Sequence, residues 1–384
     1  MSETVRKTIN NPESFSPKKP IILELASQAP HKRESVELPN EFSVTERGVR
    51  KVNNGDPHCM VFPSLTRALG TFLGTEARQL NDYNYALQMG ISTEGFALYY
   101  DEHFNKNGAN KWGERIIRNS LLIGGIQHRI AGINKAVVCD ELINFETVNR
   151  SVCECLFNDY PVLIKQNGVD TYLFVTGYKN NGEILTAYKF FGGGNGNHAL
   201  DLKAACEDYS DWKNEMEAII YIEQISEPNE ANRIEIIKET LQIVYEMLTD
   251  KQLPNTGNYD YGDQLYKLWI SRLDNDSNYE NEKDKTKYVY PEIADYHERR
   301  LYTAGFFEQC HNLLGRGTLI KSGEAFAEIH NNLKPLYELI KGKGEIKMPG
   351  RKARDKIITT LRECQKQDHI AAQHIKETLA LLEN

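Results

Sequence analysis

The sequence predicts an α+β domain, a central helix packed on an antiparallel sheet, followed by an all-helical region. Three observations carry that expectation. An apolar stripe at helical spacing lies over 61–73. Three runs rich in β-branched, aromatic and aliphatic residues follow one another between 160 and 191. From the glycine-rich loop after 191 to Asn384 nearly every segment has helical character. A chain of 384 residues is long enough for two cores. The expected organisation is a polar N-terminal extension over 1–50, the α+β domain over 51–225 and a helical domain over 226–384.

Residues 1–50 are polar and punctuated by Pro12, Pro17, Pro20, Pro30 and Pro39. Only "PIILELA" there reads as an ordered piece. The stripe Val61, Phe62, Leu65, Leu69, Phe72 and Leu73 could be buried along its whole length. Pro63 is tolerated only in a first turn, so the central helix should begin near Met60, with Cys59 at or just before its cap. "NYALQMGISTEGFALYY" reads as a short element, a turn around Gly90 with Ser92 or Thr93 as N-cap, and another helix. "ETVNRSVCECLFND" places Val148, Val152, Cys155 and Leu156 on one helical face. "YPVLIKQ", "TYLFVTGY" and "EILTAYKFF" then form a three-stranded antiparallel meander, joined by "NGVD" and "KNNG" turns.

"FGGGNGNHALD" breaks that pattern. Beyond it, Ile234, Ile237, Leu241, Val244, Tyr245 and Leu248 recur at helical spacing. Similar faces run through "YGDQLYKLWISRL", "YPEIADYHERRLYTAGFFEQCHNLL", "EAFAEIHNNLKPLYELI" and a last helix from about Arg351. The charged "DNDSNYENEKDKTK" and the basic "KGKGEIKMPG" read as solvated linkers.

Composition removes several classes of function. A formal net charge of −8 argues against nucleic acid as a partner, because that affinity rests on clustered Lys and Arg. The start has no apolar segment of signal-peptide length, and no run approaches the roughly 20 apolar residues of a spanning helix. A cytoplasmic protein with no membrane partner is expected. The 7 cysteines are scattered and odd in number, unlike a disulfide framework, so reduced thiols are expected. Cys153 and Cys155 have no second pair or histidine at zinc spacing, so neither a metal nor another cofactor is expected. The glycine loop lacks the Lys and Ser/Thr of a phosphate-binding loop and follows an antiparallel strand.

A helix with a cysteine at its mouth, then further helices, then an antiparallel sheet is the element order of papain-like thiol hydrolases. In that architecture the helix dipole favours thiolate at the helix N-terminus. "HCMVFPSLTRALG", "YNYALQMGISTEGF" and "PVLIKQNGVDTYLFVTGYKNNGEIL" together resemble a bacterial group related to the N-terminal domain of the butirosin biosynthesis acyltransferase. More distantly they resemble the leader peptidases of bacteriocin exporters. "YGDQLYKLW" and "ADYHERRLYTAGFF" resemble the helical portion of the same group, so the likeness covers roughly 55–310.

Papain-like chemistry needs a thiolate, a histidine, a group orienting that imidazole, and an amide donor for the oxyanion. By resemblance Cys59 takes the first role, and Asn53 stands where a Gln usually supplies the fourth. The histidine should open "TYLFVTGY", at Thr171 or Tyr172, neither of which is a base near neutral pH. No orienting side chain stands in "LTAYKFF". His58 adjoins Cys59, and neighbouring side chains usually diverge. His128 has no helical or strand context that aims it anywhere. His198, in the glycine loop, is the best substitute base, although a lone loop histidine is commonly just solvated. Cys59 can equally be a small buried hydrophobe under the central helix. Thr171, Tyr172 and Ser92 are the candidate substrate-binding residues.

Three functions follow. One is a protein with a papain-like fold and a degenerate triad that binds a peptide or small molecule in a biosynthetic or accessory role. The second is a cysteine-dependent acyltransferase or hydrolase using Cys59, with an acyl carrier as a possible partner. The third is a helical interaction array, against which stands the lack of any fixed-period repeat over 231–384. The first is preferred, because it accounts for both the element order and the empty histidine position.

Overall fold

The computed structural model describes residues 39–40, 42–43, 82–93, 95–96, 100–101, 114–123, 126–133, 139–158, 160, 162–166, 171–191, 207–225, 230–249, 259–260, 262–280, 292–341 and 350–383. In chain order the elements are β1 (Phe42–Ser43), α1 (Asp82–Ile91), β2 (Tyr100–Asp101), α2 (Glu114–Leu122), β3 (Ile126–Gly132), β4 (Glu141–Leu142), α3 (Val148–Phe157), β5 (Val162–Gln166), β6 (Thr171–Lys179), β7 (Ile184–Phe191), β8 (Glu207–Tyr209), α4 (Trp212–Glu215), β9 (Met216–Ile225), α5 (Glu230–Leu248), β10 (Tyr259–Asp260), α6 (Gly262–Asp274), α7 (Glu292–Leu314), α8 (Gly317–Lys341) and α9 (Arg351–Leu382). The result is a mixed α+β chain with a helical C-terminal region. The proposed central helix after Cys59 lies outside the described residues.

By internal contacts the described residues divide into two units, one made of those over 112–233 with the strand at 42–43, the other of those over 86–101 and 234–383. The described residues between 86 and 101 thus group with the C-terminal helices, although a linear reading places them with the sheet.

Among the described residues, the sheet unit has eight strands in the order β4-β3-β9-β5-β6-β7-β8, with β1 added to β6. Neighbours are antiparallel except β3 and β4. The meander of β5, β6 and β7 is as the sequence predicts. Its register sets Tyr221, Val162 and Val175 side by side, and Ile219, Ile164 and Leu173 in the next row. These six side chains face α3, whose Val148, Val152, Cys153 and Leu156 complete the same buried cluster. They recur at i, i+4, i+5 and i+8, one stripe of a helix. Cys153 rather than Cys155 sits in that core. Cys155 is half-buried and its thiol donates to the Ile222 carbonyl at 3.3 Å.

Three elements correct the sequence reading. β8 and β9 lie where helical character was expected, and β9 is inserted between β3 and β5. In "MEAIIYIEQI" Ile219 and Tyr221 face α3, while Ala218, Ile220 and Ile222 are buried too. A run buried on both faces has lost its alternation, so periodicity does not separate it from a buried helix. β3 contains His128, which therefore has a strand context after all.

The β6–β7 turn uses three successive left-handed residues, Asn180 at φ 52°, Asn181 at φ 54° and Gly182 at φ 88°. Asn tolerates that region because its short side chain finds local partners. Gly182 is also pressed by its surroundings. A Cβ there would lie 2.9 Å from the Cys153 sulfur, and its carbonyl accepts from the buried Trp212 indole at 3.2 Å.

In the helical unit α7, α8 and α9 pack in sequence, with α6 against α9. Phe96, Phe306, Phe307 and Phe326 form its aromatic centre, with ring centroids 5.3–6.0 Å apart. α1 joins this core through Gly90, where a Cβ would run into the Phe306 ring. Ser92 does not cap a following helix. It ends α1, its amide bonded to the Gln88 carbonyl at 2.9 Å, and Thr93 follows at φ 58°. Tyr100 and Asp101 form strand β2, paired with β10.

The front of "DNDSNYENEKDKTK" is also not a plain solvated linker. A 3₁₀ turn over Asp276–Tyr279 buries Tyr279 beneath the Arg354 guanidinium, 4.4 Å from the ring centroid. Arg354 Nε and Arg351 Nη1 donate to the Leu273 and Asp274 carbonyls at 3.0 and 2.9 Å, so the start of α9 caps the end of α6. The rest of that segment lies outside the described residues. No described helix is long and apolar enough to cross a membrane.

Candidate functional site

Cys59, Asn53 and His198 lie outside the described residues. Thr171 and Tyr172 open β6, where their Cα partners are Phe191 and Phe190 on β7, and Tyr172 also faces Lys165 on β5. Ser92 belongs to the other unit. It is buried at 1% exposure, with its hydroxyl 3.5 Å from the Met89 carbonyl.

Four described thiols are poorly suited to act as nucleophiles. Burial pushes Cys153 and Cys155 up to about 12, and it also raises Cys310 and Cys364. A thiol so far above neutral presents almost no thiolate. His128 is half-buried in β3, with Nδ1 at 3.2 Å from the Ile126 carbonyl, and burial lowers its pKa. Among the described residues no group of His, Cys, Asp and Glu could hold a metal ion.

The densest buried polar chemistry is in the helical unit. Tyr296, Arg299, Arg300, Thr303 and Phe307 repeat along one side of α7 and are all buried. Asp368 projects from α9 and Tyr266 from α6. Their tips meet at one carboxylate oxygen. Asp368 Oδ2 accepts from the Tyr266 hydroxyl at 2.7 Å, the Tyr296 hydroxyl at 3.2 Å and Arg300 Nη2 at 3.1 Å. The two tyrosine hydroxyls also touch each other. Arg300 Nη1 reaches the Gly95 carbonyl at 3.3 Å, and Thr303 donates to the same oxygen at 2.9 Å. The guanidinium lies over the Tyr296 ring at 4.7 Å and the Phe326 ring at 5.1 Å.

Electrostatics keeps the two tyrosines and the arginine protonated. Burial raises both tyrosines well above their ordinary range, and the Asp368 charge adds to it, so both remain donors. For Arg300 burial works downward, and the Asp368 charge with the two tyrosines outweighs it, so the net shift is upward. Arg300 and Asp368 form an ion pair in which, among the described residues, Asp368 Oδ1 and Arg300 Nε have no hydrogen-bond partner. Phe96, Met247, Leu248 and Leu265 wall a small cavity beside it of about 20 Å³.

Sequence reading missed this cluster, yet a signal was present. In "ADYHERRLYTAGFF" charged and apolar residues alternate around the whole helix, leaving no purely polar face. A helix packed on several sides must then bury some charge, and buried charge needs a partner. The partner could not be found from sequence, because Asp368 is 68 residues from Arg300. No protein-family model matches this chain, and no curated protein matches it.

Proposed function

We propose that the chain is a binding protein whose sheet unit is papain-like with a degenerate triad, and that it takes a peptide or small molecule in a biosynthetic or accessory role. The observation that carries this reading is the pair Thr171 and Tyr172 at the opening of β6, where the resemblance implies the general base. Neither residue accepts a proton near neutral pH, so an acyl-enzyme cycle would need another base. The mixed sheet with α3 on one face supports the reading by its α+β character.

A second reading rests on Cys59, which precedes the expected central helix. There it would attack an acyl donor with His198 as relocated base and Asn53 as oxyanion donor. Substitution separates the two. For a binding protein, His198→Ala leaves ligand affinity unchanged, while Cys59→Trp blocks the cleft. If instead Cys59→Ala and His198→Ala each abolish a measurable acyl transfer or hydrolysis, the binding reading fails.

A further inference from the structure

We draw no further inference here: the strongest candidate, the exposed apolar pair of Leu142 on β4 and Phe145 just after it at the β4 end of the sheet, carries nothing, because nothing in the structure shows what covers it.

Discussion

Arg300 on α7 and Asp368 on α9 form an ion pair at 3.1 Å inside the helical unit, with Tyr266 on α6 donating to the same carboxylate oxygen. One oxygen thus ties three helices together. Asp368→Leu leaves the Arg300 charge buried and unpaired, and should cost about 3–5 kcal/mol. The double variant Arg300→Met with Asp368→Leu should recover most of that loss, because an apolar pair of similar volume brings no desolvation cost. Urea unfolding of the wild type, both single variants and the double variant measures the coupling. A double variant no more stable than Asp368→Leu would contradict the account.

The buried thiols should be chemically quiet. A pKa near 12 against the ordinary 9.0 means about three units less ionisation for Cys153 and Cys155. At pH 8 their alkylation by iodoacetamide should be at least about a hundredfold slower than that of a free cysteine. Mass spectrometry of partly labelled folded protein reads this directly. Cys310 and Cys364 should resist in the same way. Rapid labelling of any of the four would show that its burial is wrongly described.

Gly182→Ala should destabilise the sheet unit by about 1–3 kcal/mol, from the strain of φ 88° and from the contact with Cys153. Asn181→Gly is the control. Its left-handed backbone suits glycine, so stability should move by less than about 0.5 kcal/mol. Thermal melts of the two variants compare them. Equal losses would mean that the close approach to Cys153 does not decide the turn.

His330 should make the helical unit acid-sensitive. Its ring stacks on His297 with centroids 3.9 Å apart, and the Tyr337 ring also stacks on His297 at 4.6 Å. Burial lowers the His330 pKa, and Lys334 adds to this, against the opposing hydrogen bond between its Nδ1 and the His297 carbonyl. In the unfolded chain the ring takes a proton near its ordinary 6.5, while the folded chain holds off to a lower pH. The unfolded state therefore binds more protons in that interval, and stability is lost as pH falls below about 6.5. His330→Gln should flatten that part of the profile. Urea midpoints at pH 7.5 and 5.5 provide the comparison, and an identical slope in wild type and variant would remove His330 from the explanation.

The sequence by itself determined the local elements whose pattern needs no partner. The meander follows from alternation and from turn residues: "KNNG" supplies Asn180, Asn181 and Gly182 to the three positions that need positive φ. The stripe of α3 and the long helices after 230 follow from helical spacing in the same way. Tertiary structure decided the rest. β9 is buried on both faces, so its strand identity is set by pairing with β3 and β5 rather than by any period of its own. Ser92 ends a helix instead of starting one because Gly90 lets α1 lie against the Phe306 ring, a contact across more than 200 residues. The Arg300 cluster has the same origin: Tyr266, Tyr296 and Asp368 share no local motif. They meet because packing three helices around one buried guanidinium leaves a carboxylate to offset its charge, and two hydroxyls that donate to that carboxylate.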